Sequence, residues 1–243
     1  MFAKSFIYSS IVGALVAISA VAHSAIIISG TRVIYPAEKR DVTVQVKNDG
    51  SKPSLMQVWM DNGDASTTPD KSNVPFIVNP PVSRVDPHTG QTISLTFTGA
   101  DLPKDRESVF WMNVLDIPAK PSTSADSQAP TNYLQFSIRS RIKVFYRPSN
   151  LLTKVTDAPK ALKWAISGNQ LKIDNPTPYF VNLLNLKAIL ASGEQTELAT
   201  DGLMLSPFQS HNVALKDLNV KKISLLSIND YGGTDHLDVD LTH

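Results

Sequence analysis

No cysteine occurs anywhere in this chain. That excludes disulfides, cysteine nucleophiles, cysteine–zinc sites and iron–sulfur clusters. An excess of either charge is also missing: 23 Lys and Arg face 22 Asp and Glu, for a formal net charge of +1. A nucleic-acid binder ordinarily carries a strongly basic patch, and none is visible. Histidine is sparse, with His23, His88, His211, His236 and His243 as the whole set. There is no G-x-S-x-G elbow, no glycine-rich phosphate loop and no H-E-x-x-H pair, so nothing marks an enzyme or a cofactor site. His236, Asp238 and Asp240 alone have metal-like spacing, sharing one face if extended. A polar final strand explains them more simply, and no metal is expected.

Long apolar runs are confined to the N-terminus. Lys4 supplies a positive start, residues 11–22 form an apolar, small-residue stretch, and Ala20-Val21-Ala22 is an A-x-A cleavage site, with Ser24-Ala25 as a second. The run is short for a membrane span, which takes about 20 residues. The pattern predicts a signal peptide over 1–25, cleaved after Ala22 or near Ala25. The mature chain is then exported and not inserted in a membrane.

What is present is mostly strand and turn. Runs rich in Val, Ile and Thr fall at 25–35, 41–47, 55–60, 76–79, 91–98, 108–116 and 134–147, each bounded by turn residues. About seven strands in roughly 120 residues is the count of an immunoglobulin-like sandwich. Pro148-Ser149-Asn150 marks a boundary, and a second set of short strands follows to the end. The reading is all-β, with two immunoglobulin-like domains at 26–148 and 149–243. Asn79-Pro80-Pro81 reads as a stiff corner where a cis bond fits. Residues 119–131 are polar and rich in Pro and Ser. They read either as a plain hairpin connection or as a loop that orders on binding.

The run from Tyr133 to Pro148 is the most telling. Leu134, Phe136, Ile138, Ile142, Val144 and Tyr146 fall on one side of an extended chain, and Gln135, Ser137, Arg139, Arg141, Lys143 and Arg147 on the other. Period two over this length specifies a strand. At about 3.3 Å per residue it would extend on the order of 50 Å, against about 17–20 Å for an ordinary strand. One sandwich cannot cover that apolar face, so part of it should overhang as an open edge. Soluble chains avoid such edges unless a partner takes them up.

Four stretches resemble the periplasmic pilus (fimbrial) chaperones of Gram-negative bacteria. They are Gly30-Thr31-Arg32-Val33-Ile34-Tyr35-Pro36, Asp105-Arg106-Glu107-Ser108-Val109-Phe110-Trp111-Met112-Asn113, Ser140-Arg141-Ile142-Lys143-Val144-Phe145-Tyr146-Arg147-Pro148 and Ile228-Asn229-Asp230-Tyr231-Gly232, supported by Asn175-Pro176-Thr177-Pro178-Tyr179. The short loop before the long strand is like that of the short-loop subclass. The resemblance implies two domains at an angle with a cleft between them. It implies a periplasmic protein that caps pilin subunits by lending them its long strand and delivers them to an outer-membrane usher.

Residue by residue, the resemblance implies that Leu134, Phe136 and Ile138 are donor side chains, the alternative being that they pack in their own core. It implies that Arg32 and Lys143 hold the subunit's terminal carboxylate, where a planar guanidinium fork and a point charge suit the task. It also implies that Glu107, Arg147 and Asp230 form an ion network between the domains. The competing reading is an exported pilin or immunoglobulin-like adhesion module. Two domains, the missing cysteines and the Arg32/Lys143 pair speak against it. Whether the free protein self-associates to hide its edge is not specified by the sequence.

Overall fold

The computed structural model describes residues 26–120, 134–199 and 202–241. The expected signal peptide and nearly all of the loop before the long strand lie outside these residues. The first group of strands builds two sheets. One holds β1 (Ile26–Ile28), β3 (Asp41–Asn48), β7 (Gly90–Phe97) and β5 (Phe76–Asn79) in the order β1-β3-β7-β5. The other holds β2 (Arg32–Pro36), β9 (Ile138–Arg147), β8 (Ser108–Pro118), β4 (Ser54–Asp61) and β6 (Val82–Val85) in the order β2-β9-β8-β4-β6.

Three elements differ from the sequence reading. The run at 25–35 is two strands in different sheets: β1 pairs with β3, and β2 pairs parallel to β9. The chain crosses between sheets at Gly30, whose φ of +115° is a conformation glycine adopts without strain. The corner at Asn79-Pro80, a cis bond, turns the chain back into β6, a strand too short for its alternation to stand out.

The long strand begins at Ile138 rather than Leu134. Its ladder with β8 ends at the Asp116–Ile138 pair, two residues before Pro118 closes β8. Proline has no N–H to offer a ladder. Among the described residues, 134–137 therefore lack strand pairing, and only Gln135 reaches back, its Nε2 donating to the Pro118 carbonyl at 2.5 Å.

The core between these sheets is formed by the alternate residues that face inward, among them Tyr35, Met56, Ile93, Leu95, Met112 and Val144. Tyr35 is fully buried and its hydroxyl is used twice, donating to the Arg40 carbonyl (2.7 Å) and accepting from the Phe97 amide (3.0 Å). Its ring meets Phe76 edge-on with centroids 5.4 Å apart and stacks on Tyr146 at 5.8 Å.

The second group of strands makes the other sandwich. A three-stranded sheet orders β10 (Lys163–Ser167), β11 (Gln170–Asp174) and β15 (Ser210–Ala214). The facing sheet orders β13 (Gln195–Ala199), β12 (Val181–Leu190), β16 (Val220–Ile228) and β17 (Thr234–Asp240), with β14 (Leu203–Leu205) also pairing β12. Leu171, Ile173, Leu183, Leu186, Leu205 and Ile223 fill the space between. Buried Asn175 fixes the corner before β12: its side-chain amide donates to the carbonyls of Tyr179 (2.8 Å) and Ser206 (3.0 Å) and accepts from the Thr177 hydroxyl (2.7 Å).

Replacing Tyr35 by Phe keeps the ring packing but leaves the Phe97 amide and the Arg40 carbonyl without their partner. An unsatisfied buried polar group costs about 1–3 kcal/mol. We expect Tyr35→Phe to lower the unfolding free energy of the first domain by about 1–3 kcal/mol, read as a lower denaturant midpoint at an unchanged m-value.

Candidate functional site: a cationic cleft beside an open strand edge

The parallel register of β2 on β9 places Arg32 directly beside Lys143. Both side chains leave the outer face of the sheet, opposite the core, and turn toward the second domain. Arg32 Nη1 donates to the Ile228 carbonyl at 3.2 Å, and its guanidinium lies 5.9 Å from the centroid of the Phe145 ring. Lys143 Nζ donates to Asn182 Oδ1 at 2.6 Å. Among the described residues neither cation forms a salt bridge. Burial pushes Arg32 below its ordinary value, against the attraction of Asp230 and Glu107. Burial, then repulsion from Arg32, pushes Lys143 down as well. Two half-buried positive charges without a bonded carboxylate among the described residues leave N–H donors that an anion could use.

Next to this pair is a second polar group. Arg147, the last residue of β9, donates from Nε to Glu107 Oε1 at 2.6 Å and from Nη1 and Nη2 to the two oxygens of Asp230 at 2.7 and 2.9 Å. The other Glu107 oxygen accepts from the Phe180 amide at 2.9 Å, and the Glu107 amide donates to the Pro178 carbonyl at 2.9 Å. Glu107 and Arg147 belong to the first sandwich, while Phe180 and Asp230 belong to the second. Burial pushes the Glu107 carboxyl up, against the attraction of Arg147. Arg147 stays above its ordinary value because its bonds to Asp230 and Glu107 outweigh burial.

Arg32, Asn182, Glu107, Arg147, Ile228 and Asp230 share the lining of one interdomain cleft of about 190 Å³. Gly232, at φ +83°, brings the turn after β16 so close to Thr31 that any Cβ at 232 would collide with the threonine hydroxyl.

The remaining expected site residues lie along β9 and ahead of it. Leu134, Phe136 and Ile138 are 78%, 68% and 40% exposed. β2 pairs with β9 only from Lys143 to Arg147, whereas β8 pairs with it from Ile138 to Tyr146. Among the described residues, the backbone from Ile138 to Ile142 is therefore open on the side away from β8. On the outer face the strand is pinned by a buried cluster. Asp61 of β4 accepts from Arg141 (2.5 and 3.0 Å) and from Asn113 of β8 (2.7 Å). Arg141 also lies 4.8 Å from the Trp111 ring centroid.

Sequence reasoning missed Asn182, the Phe180 amide and the Asp61–Asn113–Arg141 cluster. Asn182 was findable in principle, as one of two amides, with Asn185, inside the largely apolar run of β12. His236, at the far edge of the second domain, contacts the Ser224 hydroxyl at 3.0 Å, and Asp238 and Asp240 face Lys222.

The geometry defines a two-domain, immunoglobulin-like protein with two neighbouring cations at its domain boundary and an open edge on β9 from Ile138 to Ile142. Residues 25–152 match the N-terminal domain of the pili and flagellar-assembly chaperone PapD, and residues 157–239 match the C-terminal domain of the pili assembly chaperone PapD. The probable fimbrial chaperone YadV of Escherichia coli K12 is 44% identical over 217 residues, covering 86% of each chain. The CupB2 chaperone of Pseudomonas aeruginosa superposes with a TM-score of 0.75 at 35% identity, over 89% of this chain and all of that one. A chain in the complex of Salmonella enterica SafA pilin with the SafB chaperone gives 0.75 at 28% identity, over 91% and 99%. The chain belongs to the fimbrial chaperone family of the chaperone–usher pathway, which is not an enzyme family.

Removing Arg147 would strand the buried Glu107 carboxylate. Deleting one partner of a buried ion pair costs ~3–5 kcal/mol. A carboxyl whose folded pKa lies above its unfolded value of about 4.3 supports the fold below that pH and loses the contribution as pH rises through the folded value. Glu107 is already raised, and without Arg147 it rises further. We expect Arg147→Met to be destabilised most at neutral pH and least near pH 4. Denaturant titrations of both proteins across this range check the sign.

Proposed function

We propose that this protein is a periplasmic chaperone of a Gram-negative bacterium that binds a pilin subunit by donating the open edge of β9. It caps the subunit's unfinished sandwich and passes it to an outer-membrane usher. The single observation carrying this reading is the unpaired edge from Ile138 to Ile142, continued by exposed apolar side chains at Leu134 and Phe136. An edge of this kind invites pairing with another chain. An incoming strand would gain main-chain bonds, and its sandwich would receive Leu134, Phe136 and Ile138 as a row of core side chains. Burying each contributes about 1.5–3 kcal/mol.

Arg32 and Lys143 supply the register. Phe136 lies seven residues from Lys143, about 23 Å along an extended chain, and on the opposite face of the strand. Fixing the subunit's terminal carboxylate at the cleft thus determines which of its residues meets each donor side chain. A slip of one residue would turn the whole set away. The Glu107–Arg147–Asp230 network holds the two domains so that the cations and the edge face the same subunit. The domains run 26–148 and 149–243, following a signal peptide over 1–25. The SafA–SafB complex, a pilin bound by a related chaperone, supports the choice of partner.

Co-expression with a neighbouring exported subunit, followed by affinity recovery, tests the reading. Arg32→Ala and Lys143→Ala should each be exported and folded yet recover no subunit; normal recovery with either would reject the anchor. Phe136→Asp should abolish recovery while leaving the melting temperature within a few degrees of the native value. A collapse in the stability of the free Phe136→Asp protein would show that Phe136 belongs to its own core.

A further inference from the structure

Arg32 and Lys143 are adjacent by register and alike in charge, so each repels the other. A lysine with four rotatable bonds would relieve that repulsion by swinging into solvent. What holds it is on the opposite domain. Asn182 is 4% exposed, in β12 between core residues Val181 and Leu183. Its Oδ1 takes one N–H of the Lys143 ammonium at 2.6 Å. One residue beyond the Leu183–Ser227 pair of the β12–β16 ladder, the Ile228 carbonyl takes a guanidinium N–H of Arg32. One spot on the second domain therefore holds both cations of the first.

Two further facts mark the arrangement as more than packing. Among the described residues, Arg32 Nε and Asn182 Nδ2 are buried and have no hydrogen-bond partner. Buried donors are rarely left unpaired without a functional reason. The choice of side chain also matters. Lys143 is a pure donor, so the atom facing it has to be the amide oxygen. An amide oxygen orients the ammonium without neutralising it, whereas a carboxylate at 182 would form an internal salt bridge and quench the site. With one N–H taken, the ammonium keeps two for a ligand.

The geometry points to Asn182 as a positioning residue of the carboxylate anchor: it reaches from the second domain to aim the Lys143 ammonium, so the anchor is complete only when the two domains are docked. This rests on the carboxylate reading above and adds to it a residue and a coupling. Asn182 acts through Lys143, and changing it should cost binding only while Lys143 is present.

The test uses the full mature chain and two synthetic strand peptides of alternating valine and threonine. One ends in a free α-carboxylate and the other in its C-terminal amide. The native protein should prefer the acid. Asn182→Ala should lower that preference about tenfold, the scale of one hydrogen bond to a charged group, and should have no further effect in a Lys143→Ala background. Asn182→Asp, close in shape, should lower the preference too and should raise the pKa of Lys143 read by NMR. Equal behaviour of the two peptides with the native protein, including binding of neither, would overturn the carboxylate reading itself. A native preference that Asn182→Ala and Asn182→Asp leave intact would overturn the role of Asn182 alone. So would an Asn182→Ala loss that persists without Lys143.

Discussion

The guanidinium of Arg147 is shared between a buried carboxylate of the first domain and a carboxylate of the second, with three hydrogen bonds of 2.6 to 2.9 Å. Glu107 completes the link by accepting the Phe180 amide across the same boundary. Desolvation offsets much of the Coulomb attraction in such a group, so its effect is geometric more than stabilising. It fixes where β12 and β16 stand relative to β9. The partners of Arg32 and Lys143, Ile228 and Asn182, are on those two strands, and the close approach of Gly232 to Thr31 leaves the turn no slack.

One strand carries most of the consequences. β9 presents its inward residues to the core, Lys143 to Asn182 of the second domain and Arg147 to the domain boundary. Among the described residues, its first half is paired on one side only. The Asp61–Asn113–Arg141 cluster ties it across β8 to β4 on the outer face, so the open edge is held rigid rather than left to fray. A rigid edge with apolar side chains is an aggregation hazard in an isolated protein and a binding surface in one with a partner.

The alternation of 134–147 was legible because period two survives in the residues themselves. The end of pairing at Ile138 was not, since it is set by Pro118, a residue on another strand whose register no sequence pattern reveals. The sheet switch between β1 and β2 was hidden for a similar reason: Gly30 is a visible breaker, but which sheet each half joins depends on β3 and β9. Arg32, Lys143, Glu107, Arg147 and Asp230 stood out through a family resemblance and not through local chemistry. Exposed arginine and lysine are ordinary. Their meaning lies in the 196 residues separating Arg32 from Ile228 and the 83 separating Arg147 from Asp230, distances that only the fold closes. Asn182 went unnoticed because β12 carries two amides, Asn182 and Asn185, and neither names its partner in the sequence.

Strand donation makes a claim with a parity, and parity can be measured. A photo-crosslinking amino acid placed singly at positions 134 to 138 in a chaperone co-expressed with its subunit reports which side chains enter the partner. The account predicts crosslinks to the subunit from positions 134, 136 and 138 and none from 135 and 137. Crosslinks without alternation, or from the odd positions alone, would contradict it.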